Sequence, residues 1–143
     1  MCWNGVAALA QIEAGNTAVS EFLAYLKVLI ADRRLTARAR QLISSPDNAV
    51  CVSAASVWEI AIKHSLGRSG LPFSGTDALR YFTQAGYELI PIRPEHAVAV
   101  ETLPALHGDP FDRLLIAQAM AEPLRLLTHD PVVLRYSDSF IEV

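Results

Sequence analysis

"HGDPFDRLLIAQAMAEPLRLLTHD", residues 107–130, packs a helix start, a helix stop, an apolar strand and three aspartates into one stretch. Asp109-Pro110 is a strong helix opening. The carboxylate suits the N-cap, and proline suits N1, where no amide hydrogen is missed. "DPFDRLLIAQAMAE", 109–122, then reads as a helix that Pro123 cannot continue. "LRLLT", 124–128, reads as a strand, with Asp130 just past its end. A helix that hands over to a buried strand is half of a βαβ unit, and this predicts an α/β fold.

The same grammar extends upstream. "AVCV", 49–52, is a short valine-rich run that reads as a buried strand. "SAASVWEIAIKHSLG", 53–67, follows as a helix with Gly67 as its stop. Residues 68–76 read as a loop, "TDALRYFTQAG" (76–86) as a helix, and "YELIPI" (87–92) as a strand bounded by Pro91 and Pro94. "PEHAVAVETLPAL", 94–106, reads as a helix, and "SFIEV", 139–143, as a last strand. Strands alternating with helices predict a parallel sheet covered on both faces. Nearer the N-terminus, "TAVSEFLAYLKVLIA" (17–31) carries apolar residues at helical spacing, and "TARARQLISS" (36–45) reads as a second short helix closed at Ser45-Pro46. Residues 1–15 read as a weak helix ending at Gly15. No repeat or linker divides the chain, so residues 1–143 read as one domain.

Composition narrows the function classes. Of 143 residues, 52% are apolar and 19% charged, which is globular rather than disordered. The net charge of -3 argues against a nucleic-acid binder that relies on charge alone. It suits an enzyme whose acidic pocket is neutralised by metal. Cys2 and Cys51 make no disulfide framework, so a reducing cytoplasm is the expected compartment. No run of about 18 apolar residues exists to span a membrane. "MCWNGVAALAQIEAG" also lacks the basic n-region of a signal peptide.

In open α/β sheets, sites lie outside the carboxyl ends of the strands, where Glu59 and Asp130 both fall. Each acid also has a plain structural reading. Asp109 is a helix cap, and Asp112 at N3 is favoured by the helix dipole. Ser56 and Glu59 fit a capping box, whereas a Ser53 cap puts Glu59 well inside the helix, beside apolar surface that demands a partner or a metal. Asp130 before Pro131 suits a turn. The histidines, at 64, 96, 107 and 129, show no metal-ligand spacing and read as structural or exposed. The arginines at 33, 34, 38 and 40 read as a solvated helix face. Gathered at one sheet edge, however, these carboxylates would repel unless a divalent cation sat among them. Oxygen ligands suit Mg²⁺ or Mn²⁺, which neutralise charge at a phosphodiester.

"VSAASVWEIAIKHSLGR", "HGDPFDRLLIAQAMAE" and "LLTHDP" together closely resemble the PIN-domain ribonucleases, specifically the VapC-type toxins of toxin–antitoxin pairs. The resemblance runs from about residue 23 to 143. It implies a three-layer α/β/α sandwich with a mainly parallel sheet of about five strands. It also implies Mg²⁺- or Mn²⁺-dependent cleavage of RNA. Glu59, Asp112 and Asp130 are the implied catalytic and metal-binding residues, with Asp109 a secondary metal ligand. The implied partners are a cognate antitoxin, an RNA substrate and a second copy of the chain, with no membrane.

One departure stands out. The family opens with a strand followed by an aspartate, typically "LLDTHxxLW". Aligned through "ADRRLTARARQLI", that segment falls on "AVSEFLAYLK". Glu21 then stands where the aspartate belongs and is the implied substitute ligand, while Leu23 replaces the histidine. No apolar strand precedes it, so the first strand is in doubt and residues 1–20 are an atypical segment. Reduced activity is therefore expected. The alternative is a catalytically impaired PIN-like domain that acts only as a protein- or RNA-binding partner.

Overall fold

A computed structural model describes residues 8–11, 37, 38, 41, 45, 47–67, 74–84, 86–122, 124–128 and 130–142. Five strands among these residues form one sheet. They are β1 (Ala8–Gln11), β2 (Ala49–Ser53), β3 (Glu88–Ile90), β4 (Arg125–Thr128) and β5 (Ile141–Glu142), in the order β3-β2-β1-β4-β5. The helices are α1 (Ala54–Ser65), α2 (Gly75–Gln84), α3 (Pro94–Ala99), α4 (Pro110–Ala121) and α5 (Pro131–Leu134). None of them is long and apolar enough to cross a membrane.

The strands read from the sequence run parallel, as the alternating pattern requires. β2 pairs with β3 through Val52↔Leu89, and β4 pairs with β5 through Leu127↔Ile141. Consecutive residues of β2 and of β4 are buried on both faces of the sheet. Ile116 and Ala119 of α4 pack with Cys51, Leu124, Leu126, Val133 and Phe140 in one cluster. At about 25 cal/mol per Å² of apolar surface, burial of this kind is the main force holding the layers together.

The weak helix read over residues 1–15 is corrected at its centre. "ALAQ" is the middle strand, antiparallel to both neighbours, with Leu9 opposite Cys51 on one side and Leu126 on the other. Alanine and leucine favour helix locally. Between two strands with open edges, ladder hydrogen bonds on both sides outweigh that preference. The doubtful first strand thus has an occupant at the sheet centre, of opposite direction and from a different segment than "AVSEFLAYLK". The helix read over 17–31 and the stop at Gly15 lie outside the described residues, whereas Ala37, Arg38 and Gln41 of "TARARQLISS" are helical.

Other boundaries follow their caps. Ser53, not Ser56, caps α1 by accepting a hydrogen bond from Ala55 N at 3.1 Å, so Glu59 lies inside the helix. The helix read over 94–106 stops early. A short 3-10 turn, Val100–Thr102, ends it at Leu103, whose extended backbone (ψ 140°) is what a following proline demands. α5 was not anticipated, although Asp130-Pro131 repeats the Asp109-Pro110 opening of α4. α1 and α2 cross closely: a Cβ at Gly75 would lie 2.7 Å from Ala61 Cβ.

Candidate metal centre

Two helix openings set the geometry. Asp109 caps α4, its Oδ1 accepting from Phe111 N at 2.8 Å and Asp112 N at 3.4 Å. That cap turns Asp112 one residue-turn up the helix, with about a quarter of its side chain (27%) exposed. Asp130 leaves the carboxyl end of β4 and caps α5, its Oδ1 accepting from Val132 N at 2.8 Å. Its other oxygen, Oδ2, meets His107.

His107 joins the two acids. Its Nε2 lies 2.8 Å from Asp130 Oδ2 and 3.3 Å from Asp112 Oδ2. The ring's other nitrogen, Nδ1, accepts the backbone N–H of Asp109 at 3.0 Å. An acceptor at Nδ1 puts a ring proton on Nε2, where the two carboxylates share it. The loop that carries His107 is clamped. Tyr136 Oη accepts from Leu106 N (3.1 Å) and His107 N (2.9 Å) and donates to Pro104 O (2.8 Å). Arg113 reaches from α4 to Val100 O (3.1 Å), Pro104 O (3.2 Å) and His107 O (3.3 Å).

Among the described residues, His107, Asp112 and Asp130 have candidate ligand atoms within 4.8 Å of one another. Glu59 stands outside this group but near enough for its charge to act on Asp112. Its Oε1 is paired with Lys63 Nζ at 2.7 Å, one helical turn on. Asp109 is committed to its cap, while its charge also bears on Asp112. Glu21 lies outside the described residues.

The two central acids are pushed in opposite directions. Burial, then the like charges of Asp109, Glu59 and Asp130, lift the Asp112 carboxyl to about 6 against the opposing pull of His107. Burial also acts to raise Asp130. The His107 hydrogen bond and the backbone N–H groups of Val132 and Val133 outweigh it and hold Asp130 below the usual carboxylate range. A pocket that resists ionising its central carboxylate is one in which a cation relieves repulsion. Asp112 and Asp130 offer it two hard oxygen ligands, and water or substrate oxygens can complete an octahedron. The residues therefore fit Mg²⁺ or Mn²⁺.

Sequence reasoning missed the role of His107. Histidine-to-histidine spacing does not reveal it; the useful cue is H-x-D before a proline, which lets Nδ1 take the N–H of the cap residue. Sequence reasoning also passed over Arg113 and Tyr136, which act through backbone oxygens and amides that leave no pattern. His96 does follow the structural reading: it is buried, accepting from Arg93 N at 3.0 Å and contacting Glu122 Oε1 at 2.8 Å.

Comparison with known proteins gives one family match. The model of the PIN domain matches residues 22–138 of this chain. No curated protein matches it.

Proposed function

Because the chain belongs to the PIN domain family, we propose that it is a divalent-cation-dependent endoribonuclease and, more narrowly, the toxin of a cytoplasmic toxin–antitoxin pair. PIN domains are in general metal-dependent nucleases. The observation that carries the reading is the pairing of Asp112 and Asp130 at the carboxyl end of β4, in a pocket where burial, and after it like charge, holds Asp112 up to about 6. Asp112 and Asp130 would hold the cation, with Glu59 beside them and the capping Asp109 contributing charge. When bound, Mg²⁺ or Mn²⁺ supplies Lewis-acid neutralisation of a scissile phosphodiester. Glu59, paired with Lys63, would add its charge beside the two aspartates. Exposed Trp58, its ring centroid 4.7 Å from that of Phe111, offers an unpaired base a stacking face.

The partner reading rests on a groove between α1 and α2. Ala54, Val57, Trp58, Ala61 and Leu79 line it, and Trp58 and Leu79 keep large exposed apolar surfaces. A helix of an antitoxin fits such a groove by its apolar face. A homodimer is the further expectation.

The test incubates purified protein with a structured RNA in Mn²⁺ and in chelator, beside Asp112→Asn. Cleavage that needs Mn²⁺ and vanishes in the variant supports the nuclease. Equal cleavage in chelator exposes a contaminant. No cleavage, with intact capture of the antitoxin encoded next to it, favours the impaired binding domain.

A further inference from the structure

His107 is placed where a ligand would be, yet its hydrogen bonds are the wrong ones for ligation. To bind a metal through Nε2, an imidazole must present a lone pair there and carry its proton on Nδ1. In this fold Nδ1 faces the backbone N–H of Asp109 at 3.0 Å. Moving the proton to Nδ1 would set N–H against N–H at the entry of α4. It would also strip an amide of its acceptor where the helix has none to spare. Meanwhile the Nε2–H lies 2.8 Å from Asp130 Oδ2 and 3.3 Å from Asp112 Oδ2. These oxygens belong to the two carboxylates that would hold a divalent cation.

We propose that His107 is not a ligand but the group that a divalent cation displaces. Its Nε2–H closes the Asp112–Asp130 pair in the cation-free protein, holding both carboxylates in place until the cation takes over their Oδ2 atoms. This rests on the reading of that pair as the cation site. The backbone of His107 stays fixed on entry of the cation, because Tyr136 holds its amide and Arg113 its carbonyl oxygen. Nδ1 keeps the N–H of Asp109, and the carboxylates give up Nε2–H for the cation. His107 is thus a positioning residue that competes with the cation.

The two roles predict opposite signs. A ligand that is removed weakens metal binding, whereas removal of a competitor tightens it. Calorimetric titration of Mn²⁺ into the wild-type protein, His107→Ala and Asp112→Asn reads this directly. His107→Ala is expected to bind Mn²⁺ roughly tenfold more tightly, the scale of one hydrogen bond to a charged group. Asp112→Asn is expected to lose binding. Weaker or unchanged binding by His107→Ala overturns the displacement and leaves the cation site standing. Absence of binding to every form overturns the site reading and the displacement with it. Imidazole ¹⁵N spectra of the unaltered protein give a second readout that needs no variant. They are expected to show the proton on Nε2 without Mg²⁺, and an Nε2–H released from its carboxylates when Mg²⁺ is added. A proton found on Nδ1 in the presence of Mg²⁺ is the mark of ligation and overturns the proposal.

Discussion

Asp109 caps the helix that carries Asp112 and, by the same placement, sets a like charge against it. The cap oxygen accepts from Asp112 N at 3.4 Å, and the charge of Asp109 stands after burial among the causes that lift Asp112 to about 6. Structure and electrostatics can be separated here. Asparagine caps as well as aspartate, while alanine does not. Asp109→Asn should keep the melting temperature and lower the pKa of Asp112, read by ¹³C titration of its carboxyl. Asp109→Ala should lower that pKa too and cost about 1 kcal/mol of stability. An Asp112 titration unmoved in both variants would refute the electrostatic coupling.

Asp112 also makes stability depend on pH. A carboxyl whose folded-state pKa is raised contributes stability that is full below its unfolded value, and this is lost as pH rises through about 6. Without metal, its contribution should therefore decline between about pH 4 and pH 7, by at most roughly 3 kcal/mol. Asp130 works the other way. Its lowered pKa gives stability that is present above the unfolded value and lost as pH falls through the folded one. Melting curves of wild type and Asp112→Asn across this range should differ in slope, and Mg²⁺ should remove the wild-type decline above pH 6. Identical slopes in the two proteins would sink the assignment.

The crossing of α1 and α2 predicts a steric penalty. With a Cβ at position 75 only 2.7 Å from Ala61 Cβ, the helices have to part. Gly75→Ala should destabilise by about 1–3 kcal/mol despite the gain in helix propensity. Ala61→Gly in the same chain should recover part of the loss, since it removes the atom that clashes. A double variant no more stable than Gly75→Ala in chemical denaturation would show that the contact is not the cause.

Arg113 carries a third dependence. Its planar fork reaches three carbonyl oxygens, of Val100, Pro104 and His107, that a lysine ammonium cannot meet together. Arg113→Lys should loosen the loop that sets His107 and cost roughly 1–3 kcal/mol. Faster amide exchange at Leu106 and His107 is the expected signature, and unchanged exchange would deny the clamp.

What the sequence made legible follows from what is local. The caps at Ser53 and Asp109, the stop at Gly67 (φ 63°) and the parallel strands β2 and β4 each depend on neighbouring residues or on a periodic apolar pattern. β1 depends on the edges of β2 and β4, which "ALAQ" itself does not encode, so its helix propensity misled. His107 resisted for the same reason. Its role exists only once α4 and the end of β4 bring Asp112 and Asp130 together.

The last prediction concerns Glu21, which the motif resemblance sets where an aspartate is expected and which lies just before the matched residues 22–138. Glutamate bears the same charge on a side chain one methylene longer, so its oxygens would reach the cation from a shifted position. A small octahedral ion tolerates such a shift poorly, and a misplacement of about 1 Å can cost on the order of 10²-fold in rate. Weak cleavage in Mn²⁺ is therefore expected of the natural sequence, stronger than in Mg²⁺, whose geometry is the stricter. Glu59→Gln should reduce it strongly and Asp112→Asn abolish it, because the first removes a charge at the rim and the second a central ligand. Glu21→Asp decides whether the shorter acid restores the site. A gain of at least tenfold would place residue 21 beside the cation. No change, with Mn²⁺ affinity also unmoved, would mean that β1, running antiparallel through the sheet centre, has taken the place of the strand that delivers that acid.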